Sequence, residues 1–499
     1  MIRRMKRLCG FFLTLALSCS LTAFPVFAKP DWPADTGVQS EAGIVMDMDS
    51  GAVLFAQNIH VQLPPASITK LLTALVVAEH ASMDEQVTFS HDAVYNVESG
   101  SGNKLGLEEG DVLSVKDSLS VMLLQSSNQA ANALAEHVAG SREAFADMMN
   151  EKAEALGCRE SNFENPSGLN DEAQLTSAYD MALIGAAAFS DPEILEICSA
   201  KKATLPPTKN NTEGRTYSLE HKLVVTEDGT SEYYYPEAVA GKTGYTSLAG
   251  QTLVTYAVKD DRRQVAVTLK STQKTHYSDT KTILDFGFKR FKNVNVAENE
   301  THYITGEEPV EINGVSYLPS ELYLDDTAVI TLPNDAEFGD ADQYLQTEIP
   351  ENHPEGAVGR IIYSYNDRQI GVAWLYTTKA LSSAAEPSQE APEQTDPSSS
   401  KEPSEKKGIS LPDGLIAGAG AAVLLLIAVC GIYAAVQQRK EKERLARMKE
   451  RRRKRLEEMG CSQDEFERLL NERKAALGKR TAMMNRRICY ELFPFFYRY

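Results

Sequence analysis

From about Ser382 to Pro412 the chain is so rich in Pro, Ser, Glu and Gln that it cannot bury a core. Taken over 379–412, this stretch reads as a flexible stalk. Directly after it, Leu415–Val436 holds no charged residue and is long enough to cross a bilayer at about 20 residues. Any globular fold must therefore be complete between about 35 and 380. Arg439–Arg455 carries eleven basic and three acidic residues. The positive-inside rule then makes 437–499 a basic cytoplasmic tail and puts everything before the span outside the cell membrane, a single-pass topology.

The opening residues agree with that placement. Arg3, Arg4, Lys6 and Arg7 precede an apolar stretch at Phe11–Leu17, and Val26-Phe27-Ala28 offers the small residues a signal peptidase needs. Residues 1–28 thus read as a signal peptide. Cys19 raises a lipid-anchor alternative, but Ala16-Leu17-Ser18 lacks the usual Leu three residues upstream. The net charge of −19 hides basic ends around a strongly acidic middle, which repels phosphate backbones and argues against a nucleic-acid partner. Of seven cysteines, only Cys158 and Cys198 lie between signal and span; they can pair or remain two buried thiols. No Cys/His cluster has metal-ligand spacing, so no metal and no other cofactor is expected.

Within the folding region two textures alternate. Ala42–Met48 and Ala52–Gln57 read as strands around Asp49-Ser50-Gly51. Ile68–Ala81, Val115–Leu124 and Gln129–Val138 read as helices. Gln251–Val258 and Gln264–Leu269 are strands joined through Lys259-Asp260-Asp261. Residues 294–378 differ: Val310–Ile312 and Val315–Tyr317 flank Asn313-Gly314, and Ile361–Tyr365 and Ile370–Leu375 flank Asn366-Asp367, both hairpin signals. The expectation is an α/β domain over 35–290 followed by a small all-β domain over 294–378.

Three short motifs carry chemistry. Pro64-Pro65-Ala66-Ser67-Ile68-Thr69-Lys70 opens a helix, so Ser67 sits where free backbone N–H groups point outward. Lys70 lies three residues on, on the same face. A serine hydroxyl needs a base, and a lysine serves only if burial or nearby positive charge lowers its pKa. The spacing alone recurs at Ser199–Lys202, Ser271–Lys274, Ser278–Lys281, Ser398–Lys401 and Ser404–Lys407. What singles out Ser67 is the Pro-Pro entry and the apolar helix behind it. Ser126-Ser127-Asn128 falls in a break between helices, where a loop lets Ser126 and Asn128 point into a cleft. By itself Ser126 would be a helix cap. Ser101-Gly102-Asn103 has the same form but lacks a rigid helix before it. Lys242-Thr243-Gly244 follows a strand and offers a charge and a hydroxyl to a carboxylate, while Gly244 admits close approach to the backbone.

Together and in this order the three are the set that recurs in serine β-lactamases and penicillin-binding proteins. The chain resembles the serine D-alanyl-D-alanine carboxypeptidases, the low-molecular-mass penicillin-binding proteins. The likeness extends to Leu105-Gly106-Leu107, Gly110-Asp111, Ala130–His137, Asn165-Pro166-Ser167-Gly168-Leu169, Thr176–Ala182 and Gly241–Thr246. It implies a transpeptidase fold of the penicillin-binding and β-lactamase type, an antiparallel sheet flanked by helices, with the β-rich region as its small second domain and one transmembrane helix after it. It implies that Ser67 is an acyl-ester nucleophile, Lys70 its proton acceptor and Ser126 a proton relay. Asn128 would hold the substrate amide, and Lys242 and Thr243 the terminal carboxylate. The N–H groups of Ser67 and Tyr245 would form an oxyanion hole, with Gly244 between strand and substrate. The implied substrate is a peptidoglycan pentapeptide ending in D-Ala-D-Ala, and β-lactams are the implied inhibitors.

Ser127 stands where the family usually has Gly, Gln129 where it has Asp, and His276 where it has an Arg. A true span replaces the amphipathic anchor helix common in the family. A D,D-endopeptidase of the same fold remains a rival reading. A class A β-lactamase would need a glutamate-directed water, and no convincing Glu-x-x-Leu-Asn segment lies between Asn128 and Lys242. A catalytically dead wall-binding scaffold would tend to lose these motifs. His80, His91, His137 and His221 tempt a Ser-His-Asp reading without any recognisable context.

Overall fold

The computed structural model describes residues 29–34, 36–97, 101–350 and 353–378. A five-stranded antiparallel sheet organises the larger part. Its spatial order is Val53–Gln57, Ala42–Asp47, Arg262–Ser271, Gly250–Lys259 and Ala238–Thr246. The hairpin between its third and fourth strands turns through Asp260 and Asp261, both at positive φ (49° and 61°), the twist a tight two-residue turn requires. Both faces of the sheet are covered, which is why Val265-Ala266-Val267 and Leu253-Val254 are buried without alternation.

On one face lies the helix His276–Arg290, whose Ile283, Leu284 and Phe286 pack with Val45, Phe55, Leu253 and Ala266. On the other are the helices Lys70–His80, Val115–Leu124, Asn128–Ala139 and Ala178–Ser190. The last comes very close: a Cβ on Gly185 would stand 3.0 Å from both Val254 and Val265. Serine caps start most of these helices, Ser114, Ser127 and Ser177 each accepting from a backbone N–H three residues on.

After the last helix the chain is β-rich. Phe291–Asn295 pairs with Val329–Pro333, and a four-stranded sheet runs Leu322–Leu324, Arg368–Thr377, Ala357–Tyr365 and Asp342–Gln346. The Asn313-Gly314 hairpin forms with both residues at positive φ. Glu300 is buried in this region, accepting from Tyr363 Oη at 2.5 Å and from the His302 N–H at 2.7 Å.

The β-rich part is sewn to the larger sheet. Trp32 lies 4.8 Å from Phe291 and 6.3 Å from Tyr365, centroid to centroid, and the Tyr365 hydroxyl donates to Pro30 O at 2.6 Å. Beneath, buried Asp47 accepts from Arg262 at 3.3 Å and from Asn293 at 3.2 Å. Burial pushes its carboxyl up while the guanidinium opposes the shift.

One part of the expected architecture has to be corrected. Among the described residues no helix is long and apolar enough to cross a membrane. The longest, His276–Arg290, has 15 residues and carries charges, short of the roughly 20 apolar ones a bilayer needs. The segment 415–436 lies outside the described residues, as do 1–28, 379–412 and 437–499. Among the described residues the fold that stands is the α/β sheet with its β-rich companion and no transmembrane helix, so the expected single-pass membrane localisation has no helix there to carry it. Cys158 and Cys198 are both unpaired.

Candidate active site

The Pro-Pro entry does not open an α-helix directly. Ala66–Thr69 form a 3₁₀ turn, and the α-helix begins at Lys70. Ala66 is held at φ +52°, an uncommon conformation for a side chain with a Cβ, and such strain gathers at functional sites. Two contacts impose it: Thr252 Oγ1 donates to Pro65 O and Thr69 Oγ1 to Ala66 O, both at 2.8 Å. Ser67 is thereby turned toward a cavity of about 430 Å³, within the range typical of small-ligand sites.

Lys70 lies beneath it, fully buried. Its Nζ donates to Ser67 Oγ at 2.9 Å, to Asn128 Oδ1 at 2.8 Å and to Ser167 O. Burial holds its pKa well below the usual lysine value, and the nearby charge of Lys242 lowers it further. Three acceptors suit an ammonium. A neutral amine keeps two N–H bonds, and Asn128 Oδ1 and Ser167 O can only accept. Losing one proton therefore leaves the lone pair facing the Ser67 hydroxyl, the arrangement a general base requires.

Ser126 occupies the loop between two helices at φ +59°, and its Oγ accepts from Lys242 Nζ at 3.0 Å. The residue that caps the following helix is Ser127, accepting from the Ala130 N–H at 3.1 Å. Asn128 is the first residue of that helix rather than part of the loop. Lys242 is 1 % exposed on the edge strand, and burial brings its pKa down to about 8. Gly244 is required there: a Cβ would lie 2.9 Å from the Ser67 nitrogen and 2.3 Å from Thr252 Oγ1. Thr243 and Tyr245 line the same cavity, with Tyr245 64 % exposed at its rim.

All eight residues singled out from sequence thus meet at one place. Sequence reasoning missed Ser167, whose carbonyl holds Lys70, although Asn-Pro-Ser-Gly reads as a turn. Asn165 Oδ1 orients that turn by accepting from the Ser167 and Gly168 N–H groups at 3.2 and 2.8 Å. It also missed Glu220, which pairs with Lys104 at 2.7 Å at the cavity and favours the charged form of both buried lysines. The Ser101-Gly102-Asn103 decoy proves to be a neighbour: Ser101 and Gly102 line the cavity, and Gln129 Nε2 donates to Gly102 O at 3.1 Å. His221 is buried behind the edge strand, its Nε2 2.8 Å from Thr255 Oγ1, and burial brings its pKa down to about 3. It makes no contact with Ser67, so no Ser-His-Asp triad forms around it. His276 does line the cavity, 6 % exposed, with Nδ1 2.9 Å from Thr272 O.

Comparison with known proteins bears on the same residues. A family model described as D-alanyl-D-alanine carboxypeptidase matches residues 29–273. The D-alanyl-D-alanine carboxypeptidase DacF of Bacillus subtilis (strain 168) is 31% identical over 298 residues, covering 58% of this chain and 72% of that protein. Among solved structures, penicillin binding protein 5 from Haemophilus influenzae has a TM-score of 0.55 at 26% identity, covering 69% of this chain and 98% of the other. Penicillin binding protein 6B from Escherichia coli has a TM-score of 0.51 at 27% identity, covering 70% and 99%. Motifs, fold and kinship agree: the chain belongs to the D-alanyl-D-alanine carboxypeptidase family and is a serine-type hydrolase of the penicillin-binding kind, acting on peptidoglycan termini.

Proposed function

We propose that the chain removes the terminal D-alanine from peptidoglycan pentapeptides ending in D-Ala-D-Ala, through an acyl-enzyme on Ser67. The observation that carries this reading is the Lys70 amine, buried and hydrogen-bonded to Ser67 Oγ at 2.9 Å. Lys70 accepts the Ser67 proton as the hydroxyl attacks the penultimate carbonyl. Ser126, joined to Lys242, passes a proton to the leaving D-alanine amine. The N–H groups of Ser67 and Tyr245 take the developing oxyanion, Asn128 holds the peptide amide, and Lys242 and Thr243 take the carboxylate. Water then releases the shortened peptide. A β-lactam enters by the same route and acylates the same oxygen. Residues 35–290 supply the chemistry, with 294–378 as its β-rich companion.

Glu220 is the only acidic residue among the described residues lining the cavity, and it is paired with Lys104. That favours a carboxypeptidase over a β-lactamase using a glutamate-directed water. Incubation with a pentapeptide muropeptide is expected to release free D-alanine and leave a tetrapeptide. Cleavage of cross-linked dimers without D-alanine release would instead identify an endopeptidase.

His276 adds a pH dependence. Burial lowers its pKa below the ordinary 6.5, with Lys222 acting in the same direction and Asp279 against it. A bound carboxylate favours the imidazolium, so protonation and binding reinforce each other. Affinity of an unreactive substrate analogue for the Ser67→Ala variant should stay level through neutral pH and tighten as pH falls below about 6.5. His276→Arg should flatten the profile; a wild-type profile already flat in acid would remove His276 from the carboxylate.

A further inference from the structure

His276 brings no permanent charge to the cavity wall, and a second residue on that wall does. The His276 ring is buried, one nitrogen is engaged with Thr272 O, and it carries no permanent fork-shaped charge of the kind an arginine supplies. Lys222, by contrast, is an exposed cation lining the same cavity as Ser67, Thr243 and Gln273. It opens the short helix Lys222–Val225, and its N–H donates to Tyr277 Oη at 3.2 Å. Tyr277 in turn packs 4.1 Å from His276 and 5.3 Å from Tyr233, centroid to centroid. Lys222, Tyr233, Tyr277 and His276 are therefore one continuous stretch of cavity wall.

The resting position of the ammonium matters. Lys222 Nζ lies 4.1 Å from the centre of the Tyr233 ring, a cation–π contact that positions a charge without neutralising it. Its acidic neighbour in sequence, Glu220, is already taken by Lys104. A carboxylate entering the cavity thus meets a cation held ready on an aromatic face rather than one locked in an ion pair.

We propose that Lys222, parked on Tyr233, receives the substrate's terminal carboxylate alongside Lys242 and Thr243, replacing the charge that His276 does not permanently carry. The assignment rests on the reading that the substrate ends in a free carboxylate. Lys222 is then a specificity-determining residue, with no part in proton transfer. A lysine is a point charge and not a fork, so it adds attraction more than alignment.

The test measures kcat and KM of the full chain on two peptides, one ending in D-Ala-D-Ala acid and the other in its C-terminal amide. Lys222→Met should raise KM for the acid by about two- to fivefold, the worth of one exposed charge pair. It should leave kcat within about twofold and shrink the acid-over-amide preference by the same factor as KM rises. Lys222→Arg should keep the preference, as a role confined to packing on Tyr233 would not predict. An unchanged preference in Lys222→Met, or equal losses on both peptides, overturns the assignment while leaving the carboxypeptidase reading intact. A wild type that treats acid and amide alike overturns that reading and this assignment together.

Discussion

Alanine at position 67 is expected to abolish covalent labelling by penicillin and to lower D-alanine release by about 10⁶-fold, the usual cost of removing an activated nucleophile. Among the described residues no other hydroxyl is bonded to Lys70. Lys70 bonds to Ser67, Asn128 and Ser167 O, and the hydroxyl of Ser126 faces Lys242 instead. Base and nucleophile form one unit, so their losses should not add. Lys70→Met alone should cost about 10³- to 10⁴-fold, yet nothing further in the Ser67→Ala background. Mass spectrometry of the labelled peptide reads the site directly, and the thermal midpoint guards against unfolding. Labelling that persists unchanged in Ser67→Ala would remove Ser67 from the chemistry.

The second large effect is expected at a residue that takes no part in the chemistry but packs against the nucleophile turn. Gly168 sits at φ +81°, and a Cβ there would lie 1.9 Å from Ala66 O and 2.9 Å from Thr69 Oγ1. Alanine must displace backbone on the nucleophile turn, with no flexible side chain able to give way. We expect Gly168→Ala to lose at least about 3 kcal/mol of stability, since steric conflict adds to the cost of positive φ. The midpoint should fall by roughly 6–12 °C for a domain of this size. Penicillin acylation of the fraction still folded should slow by about 10²-fold, as expected for a displaced nucleophile. Gly140→Ala is the control: its φ is +79°, but nothing lies within 4 Å of the added carbon. It should cost only about 1 kcal/mol and leave acylation alone. Equal losses in the two variants would mean that backbone conformation, and not contact with Ala66, sets the penalty.

The difference between these two glycines marks what was legible in the sequence. Local signals carried well: Val115–Leu124 and the strands around Asn313-Gly314 form with the bounds the pattern predicts. The three motifs were legible because each combines a special backbone position with a chemical group. What pattern could not supply was the partner across space. Nothing in Asn165–Leu169 says that the Ser167 carbonyl lies against Lys70, or that Gly168 touches Ala66. Nor does Ser101 declare that its loop shares a wall with Ser126. These contacts join residues about 25 to 100 positions apart, where only the folded sheet fixes the distance. The helix start was read two residues early, because the strained Ala66 and the 3₁₀ turn are held by a tertiary bond from Thr252 to Pro65 O together with the local bond from Thr69 to Ala66 O, and helix periodicity signals neither.

The joint around Trp32 bears on how the chain can be dissected. A cut near residue 290, where helix gives way to strand, looks natural on paper. It would strip Phe291 from Phe286 and Trp32, and would take from Arg262 its 2.6 Å bond to Phe291 O. Asp47 would lose Asn293, and Ser50 would lose Thr331 at 2.7 Å. Starting later than Pro30 would empty the other side, because Tyr365 donates to that residue's carbonyl. The smallest piece that keeps its own surfaces covered therefore runs from the Lys29 side of Trp32 through the strand Arg368–Thr377. In this protein the catalytic sheet is not a portable module.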